Sequence, residues 1–153
     1  MRGILLDGIG GATPAIAAMR LALGLFFVLS GIHKLTNKER HKTFVATLRE
    51  LGIPYIGILQ WFVPGVEFFG GLGVAFGFLT PLAALGLLVI CSVALLTSSP
   101  AVIESYKPID RADRLDDWLY QPELVYALML LYFIASGAGP ISVDHFLKLW
   151  IGG

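Results

Sequence analysis

One apolar stretch of this chain, residues 57–79, is long enough to cross a lipid bilayer and carries a carboxylate near its middle. The stretch reads GILQWFVPGVEFFGGLGVAFGFL, and the carboxylate belongs to Glu67. An ionised side chain at the centre of a membrane-spanning helix costs about 2.5–3.5 kcal/mol on insertion scales. We therefore expect Glu67 to face protein or water, to find a partner there, or to carry a proton.

The composition agrees with a lipid environment. Hydrophobic residues make up 56% and charged residues 14% of the chain, and the mean hydropathy is +0.77. Because a spanning helix needs about 20 apolar residues, the chain has room for four spans with short connections. The sequence predicts an all-α membrane four-helix bundle with an amphipathic interfacial helix between spans one and two. The single domain covers residues 1–153, with spans at about 14–35, 57–79, 81–100 and 124–143.

Charge and cysteine content exclude several classes of function. Eleven Lys and Arg balance eleven Asp and Glu, so no basic surface indicates nucleic acid as a partner. The single cysteine, Cys91, cannot form an intrachain disulfide or a CxxC pair. The three histidines are scattered along the chain, and we predict no metal site. Residues 1–13 are Gly-rich and predict an irregular or interfacial lead-in to a retained first span.

The first span carries its two cations and two glycines on one face. Every third or fourth residue from Arg20 gives Gly24, Phe27, Gly31 and Lys34. Small residues on one stripe let a neighbouring helix approach closely, so this face should point into the bundle. Lys34 falls at the end of the span, where its ammonium group can extend to the interface.

Residues 36–54 predict an amphipathic helix that Asn37 caps and that Gly52 and Pro54 end. Its apolar stripe fits two arrangements, a helix lying on the membrane or a helical loop packed on the bundle without lipid contact. Residues 101–123 form a long polar connection with six acidic and three basic residues. This connection is either a solvated loop or a lid over the end of the bundle.

Lys and Arg residues concentrate in the connections after spans one and three. These connections hold eight of the eleven cations, from Lys34 to Arg49 and from Lys107 to Arg114. Positively charged loops stay on the cytoplasmic side of a membrane. The sequence therefore predicts a multi-pass protein of the cell membrane with residues 36–56 and 101–123 in the cytoplasm.

The charged residues inside the spans admit two interpretations. By the rise of an α-helix, Arg20 and Glu67 lie about 9 Å apart in depth, and the uncertainty of the span boundaries allows a direct pair. In the first interpretation these charges only fix the register of the helices. In the second, Arg20, Glu67, Trp61 and Phe27 line a cavity for a quinone-like or small anionic molecule.

Three segments of the chain together resemble the DoxX family of small four-span membrane proteins. They are RLALGLFFVLSGIHKL at residues 20–35, GVEFFGGLGVAFGFLTPLAA at residues 65–84 and ASGAGPISVDHFL at residues 135–147. The residues that match the family's motifs are Arg20, Gly24, Gly31 and Lys34 in the first segment, Glu67, Gly70, Gly71 and Gly77 in the second, and Gly137, Gly139, Ser142 and Asp144 in the third.

The resemblance implies a membrane protein associated with redox and sulfur metabolism. The family includes the membrane subunit of a thiosulfate:quinone oxidoreductase, a partner in a mycobacterial complex that handles oxidative and thiol stress, and distant animal chaperones of receptor assembly. These 153 residues contain no recognisable soluble redox domain, so a redox role requires a protein partner. No cofactor motif is evident, and a quinone is the cofactor that the resemblance suggests.

Three hypotheses of function follow. The first is a membrane subunit of a redox or oxidative-stress system that interacts with quinone or a small anionic substrate. The second is a non-enzymatic scaffold or assembly factor that binds a protein partner or a second copy of itself. The third, a small transporter, is disfavoured by the chain's size and its lack of internal repeats.

Overall fold

The computed structural model describes residues 12–151 as a set of α-helices without strands. The predicted lead-in at residues 1–13 lies almost entirely outside this range, since residues 1–11 are not described. In chain order the helices are α1 (Ala12–Thr36), α2 (Lys38–Glu50), α3 (Ile56–Phe76), α4 (Thr80–Thr97), α5 (Ser99–Tyr106), α6 (Arg111–Leu119), α7 (Pro122–Ser136) and α8 (Val143–Ile151).

Three of these helices, α1, α3 and α4, are long and apolar enough to cross a membrane. They are the helices expected for the first three spans. Helices α6 and α7 together are also long and apolar enough for a fourth span, and they meet at an angle of 57° across a short break. The described residues thus confirm an all-α protein with three or four candidate spans.

Helix α1 packs along α3 in the antiparallel direction through glycines. A Cβ atom added at Gly24 would lie 2.6 Å from the backbone of Gly71, and one added at Gly31 would lie 2.6 Å from the backbone of Phe68. Gly71 on α3 faces α1 in the same way, since a Cβ atom added there would lie 2.7 Å from the Val28 nitrogen. The two backbones are therefore in direct contact, as the small-residue stripe on the first span predicts.

Helix α4 packs against α3 on one side and α7 on the other, which completes the interior. The most buried side chains of this interior belong to Leu87 on α4 and to Leu130 and Phe133 on α7, all 0% exposed. Cys91 is also buried here. The helices of the bundle are thus joined in the order α1, α3, α4, α7.

Helix α2 confirms the predicted helix between the first two spans. The side chain of Asn37 accepts hydrogen bonds from the backbone N–H groups of Glu39 and Arg40. At its other end Gly52 takes φ +64°, a conformation that glycine adopts without strain. Leu48 is buried, and α2 contacts both α1 and α3. These contacts favour the arrangement in which the helix packs on the bundle.

The fourth long helix ends at Ser136, where Gly137 and Gly139 both take positive φ, at +74° and +77°. One segment differs from the expected pattern. The connection at residues 101–123 is largely helical, since α5 continues to Tyr106 and Asp110 caps α6. Local hydrogen bonding by Asp110 at the start of α6 stabilises a helix where the polar composition indicated a loop.

Candidate functional site: two polar clusters at opposite ends of α1

The carboxylate of Glu67 points into the bundle and pairs with a lysine of α1. Lys34 Nζ lies 2.7 Å from both carboxylate oxygens, and Ser30 Oγ donates a hydrogen bond of 3.2 Å to Oε2. Glu67 is 4% exposed. We call Glu67, Lys34 and Ser30 the Glu67 cluster. Its geometry satisfies a buried carboxylate with one cation and one hydroxyl group, both from a single neighbouring helix.

The pair between Arg20 and Glu67 that the depth count allowed does not form, and the Lys34 ammonium group turns toward Glu67 and not toward the interface. Side chains on an α-helix tilt toward its N-terminus. Lys34 therefore reaches inward from the end of α1, and Glu67 tilts toward it along the antiparallel α3. Arg20 tilts in the same direction as Lys34, toward the N-terminus of α1, and therefore away from Glu67. The depth count missed this because it compared backbone positions and ignored side-chain direction.

A cavity of about 290 Å³ lies beside the Glu67 cluster. Its polar lining comes from Ser30, Lys34, His33 and Arg40, and its apolar lining from Phe26 and Leu29. The volume is close to the lower limit of small-molecule sites, about 300 Å³. Two cationic side chains and a histidine beside exposed apolar groups suit a ligand with oxygen acceptors and an apolar portion.

Helix α2 ties the end of α1 to the start of α3 beside this cavity. His41 Nδ1 lies 3.0 Å from the carbonyl oxygen of Lys34, and its ring stacks on Trp61 with centroids 4.5 Å apart. The Lys34 ammonium group also lies 5.0 Å from the centre of the Phe44 ring. The first turns of α3 and the end of α1 are therefore tied together through α2.

Arg20 occupies a second polar cluster at the other end of α1. Its Nη1 donates 2.8 Å to the carbonyl oxygen of Ala138, and its Nη2 donates 2.7 Å to that of Ile141. The guanidinium group also lies directly against Gly77, where a Cβ atom would collide with it. Arg20 is 3% exposed. It thus fixes the irregular segment between α7 and α8 by satisfying carbonyl groups that the broken helix leaves free.

Asp144 completes this second cluster by capping α4 from a distant part of the chain. Its two carboxylate oxygens accept hydrogen bonds from the backbone N–H groups of Leu79 (2.8 Å) and Thr80 (3.0 Å). The backbone N–H of Asp144 donates to the carbonyl oxygen of Gly77 at 2.8 Å. Burial alone raises the pKa of Asp144, but the bonds from Thr80 and Leu79 outweigh it and lower the pKa below its ordinary value. We call Arg20, Gly77, Ser142 and Asp144 the Arg20 cluster.

The four side chains expected to line one cavity are not brought together. Phe27 is 3% exposed and packs in the interior against Tyr126, with ring centroids 5.9 Å apart. Trp61 is 54% exposed and stacks on His41. Along α3, Glu67 and Gly77 are ten residues apart, which places Arg20 about 15 Å from the carboxylate. The Glu67 cluster and the Arg20 cluster are separate features.

Most of the twelve motif residues belong to the Glu67 cluster or the Arg20 cluster, or lie in a contact between two helices. Gly24, Gly31 and Gly71 form the α1–α3 contact, and Gly70 faces Leu87 on α4, where an added Cβ atom would lie 3.1 Å from the leucine side chain. Ser142 accepts a hydrogen bond of 3.1 Å from the His145 N–H and so caps α8.

Sequence reasoning missed Ser30, His33 and Arg40 as site residues. Ser30 stands one helical turn before Lys34 on the same face, a spacing that identifies it once Lys34 is recognised as the partner of Glu67.

Comparison with known proteins adds one assignment. No curated protein and no solved structure matches this chain significantly. Among residues 12–151 no group of three His, Cys, Asp or Glu side chains is placed to hold a metal ion. The sequence model of the DoxX family matches residues 15–100, which is more than half of the 153-residue chain and includes the first two motif segments. This chain is therefore a membrane protein of the DoxX family.

Proposed function

We propose that this protein is the membrane subunit of a redox system and binds a quinone headgroup in the cavity beside the Glu67 cluster. The observation that carries the proposal is the lining of this cavity, where Lys34, His33 and Arg40 surround about 290 Å³ of space next to a buried carboxylate. Quinone carbonyl groups accept hydrogen bonds from such side chains. A partner protein supplies the electrons in this proposal.

The apolar part of the lining suits the rest of a quinone molecule. Phe26 is 44% exposed and Leu29 is 54% exposed, and both lie on α1, a candidate membrane span. Exposed apolar side chains on a spanning helix contact lipid, so a ligand with an isoprenoid tail can enter this cavity from the bilayer. A small anion is the second ligand class for the same site, since Glu67 neutralises Lys34 while Arg40 keeps its charge.

Binding of a short-chain quinone analogue to the purified protein tests this proposal. We expect Lys34→Gln and Arg40→Gln each to weaken binding by about tenfold, the loss of one charge-assisted hydrogen bond. Lys42→Gln is the matched control, because Lys42 lies on the same helix as Arg40 and its side chain is 72% exposed. Unchanged affinity in both cavity variants excludes this site.

A scaffold or assembly role is the second candidate function. The observation in its favour is that Glu67 has two partners on α1 and that both terminal nitrogens of Arg20 donate to carbonyl groups, so both charges already serve the packing of the helices. This role predicts a stable complex with another membrane protein on mild solubilisation, no retained quinone, and an unchanged yield of that complex in the Arg40→Gln variant.

A further inference from the structure

We infer that a phospholipid binds at the end of the molecule opposite the Glu67 cluster, with one acyl chain between α3 and α4 and its phosphate against Lys148. The structure has an apolar groove of about 670 Å³ between these two helices. Gly70 and Gly73 lie on its floor, where α4 packs closely through Leu87 and Ala83, and Phe69, Phe76 and Leu82 form its walls. We call it the α3–α4 groove.

The α3–α4 groove faces the part of the molecule that lipid surrounds. Both of its helices are candidate membrane spans, and its wall residues Phe69, Phe76 and Leu82 are 71%, 63% and 66% exposed. A groove lined by apolar groups within the hydrocarbon layer is filled by hydrocarbon, since water has no polar partner there. The occupant of the groove is therefore a hydrocarbon chain of a lipid.

The dimensions of the groove fit one leaflet. It follows α3 from Phe69 to Phe76, about 10 Å along the helix axis, and then passes the turn at residues 77–79. One leaflet of a bilayer contributes about 15 Å of hydrocarbon. An acyl chain that lies in the groove thus ends at Leu79 and Val143, where α8 begins.

A second pocket, mainly apolar but with two charged residues, stands at that end of the groove. It has a volume of about 510 Å³, shares Leu79 with the groove, and is lined also by Asp144 and Lys148. Lys148 is the cation of this lining and is exposed, so its ammonium group is the one that can meet a phosphate. Asp144 in the same lining keeps its negative charge, and both of its oxygens are directed to backbone N–H groups of α4 and the turn before it. Exposed Phe146 and Trp150 place the same helix at the headgroup layer.

Native mass spectrometry of the purified protein tests this inference. We expect the wild-type chain to retain one phosphatidylglycerol molecule after removal of bulk lipid. Lys148→Gln should weaken retention by about fivefold, the effect of one cation near an anionic headgroup. Leu82→Trp should abolish retention by filling the groove. Leu85→Trp is the matched control on the same helix, because Leu85 is 49% exposed and does not line the groove.

Three results overturn the inference. Equal retention by Leu82→Trp and Leu85→Trp means that lipid binds elsewhere, and equal retention by Lys148→Gln and wild type removes the headgroup assignment. Preferential retention of a quinone in this groove replaces the phospholipid.

Photocrosslinking of wild-type protein with a phospholipid that carries a reactive group in its acyl chain avoids any folding defect of the variants. Crosslinks should fall within residues 69–83, and an even distribution over all helices contradicts the site.

Discussion

The ion pair between Glu67 and Lys34 joins one buried and one partly exposed side chain. Glu67 has 6% and Lys34 24% of its side chain accessible. Removing one member of a buried pair leaves an uncompensated charge, which is costly, whereas removing both is much less so. A single substitution in this pair should therefore lower the stability of the protein by more than the net contribution of the pair to that stability.

Single and double substitutions of this pair should be strongly non-additive. We expect Lys34→Met to lower the stability of the purified protein, and Glu67→Gln in the same chain to restore much of it, with a coupling energy of about 1–3 kcal/mol. Unfolding by a denaturing detergent, followed by circular dichroism, measures this.

The exposed pair of Glu39 and Lys42, 3.0 Å apart on α2, serves as the control and should show coupling near zero. Equal coupling in the two pairs contradicts a buried, energetically important Glu67 cluster.

Arg20 should not be replaceable by lysine. Its two terminal nitrogens donate to two different carbonyl groups, Ala138 and Ile141, which a single ammonium group at the end of a flexible chain does not reproduce. Arg20→Lys should destabilise the protein by about 1.5–3 kcal/mol. The same change at Arg49, which is exposed on α2, should leave the thermal midpoint unchanged. Thermal unfolding of both variants provides the comparison.

At the scale of the helices, the α1–α3 contact depends on the absence of side chains at a few positions. A methyl group at Gly24 meets backbone atoms of α3 at 2.6 Å, and a backbone cannot move aside as a flexible side chain can. The contact therefore tolerates no larger residue there without separation of the two helices.

Gly24→Ala should lower the stability of the protein by about 1–3 kcal/mol or more, the usual cost of overpacking. Gly65→Ala in α3 is the matched control, since nothing lies within 4 Å of an added Cβ atom there. Because alanine favours a helix over glycine by about 1 kcal/mol, this variant should be neutral or slightly more stable. If both variants unfold alike, the close helix contact is not present in the folded protein.

The link between α8 and α4 should give the stability a dependence on pH. The ordinary pKa of Asp144 is 3.8, and its hydrogen bonds to Thr80 and Leu79 lower it in the folded protein. The unfolded chain therefore binds more protons in acid, so the stabilisation is complete above about pH 4 and decreases as the pH falls through the lower, folded pKa.

Asp144→Asn should cost about 1 kcal/mol at neutral pH, because the amide keeps only one of the two oxygens that accept backbone hydrogen bonds, and should make the thermal midpoint less sensitive to pH between 5 and 3. Asp116→Asn, at an exposed position on α6, should retain the pH dependence of the wild type. Thermal unfolding across this pH range distinguishes the two.

At the scale of the whole molecule, the arrangement of cations predicts which ends of the helices face the cytoplasm. Residues 36–56 and 101–123 lie at one end of the bundle, and Lys148 lies beyond the last long helix at the other. The positive-inside tendency places the first two segments in the cytoplasm.

Labelling of single cysteines in intact cells tests this orientation. In a Cys91→Ser background, Lys42→Cys and Arg111→Cys should be protected from a membrane-impermeant maleimide, and Lys148→Cys should be labelled. All three positions are exposed, so access depends on the side of the membrane. The opposite pattern reverses the orientation.

Hydropathy alone predicted the long helices. An apolar segment in lipid has to satisfy every backbone N–H and C=O group internally, whatever its side chains, and an α-helix does so. The inward direction of Glu67 and of Gly24 and Gly31 also followed from the sequence. The partner of Glu67 did not, because it depends on side-chain tilt. The role of Asp144 as a cap for α4 did not either, since the two are 64 residues apart and only the folded chain brings them together.

The Glu67 cluster and the Arg20 cluster both hold α1, and their cations are 14 residues apart in the sequence. This separation is nearly four whole turns, about 21 Å. Inserting one residue between them rotates one cation by about 100° relative to the other, so only one end of α1 can then be anchored. The length of this segment is thus constrained as strictly as its two contact glycines, and we expect homologous chains to keep Gly24, Gly31 and the number of residues between the two cations while other positions of the segment vary.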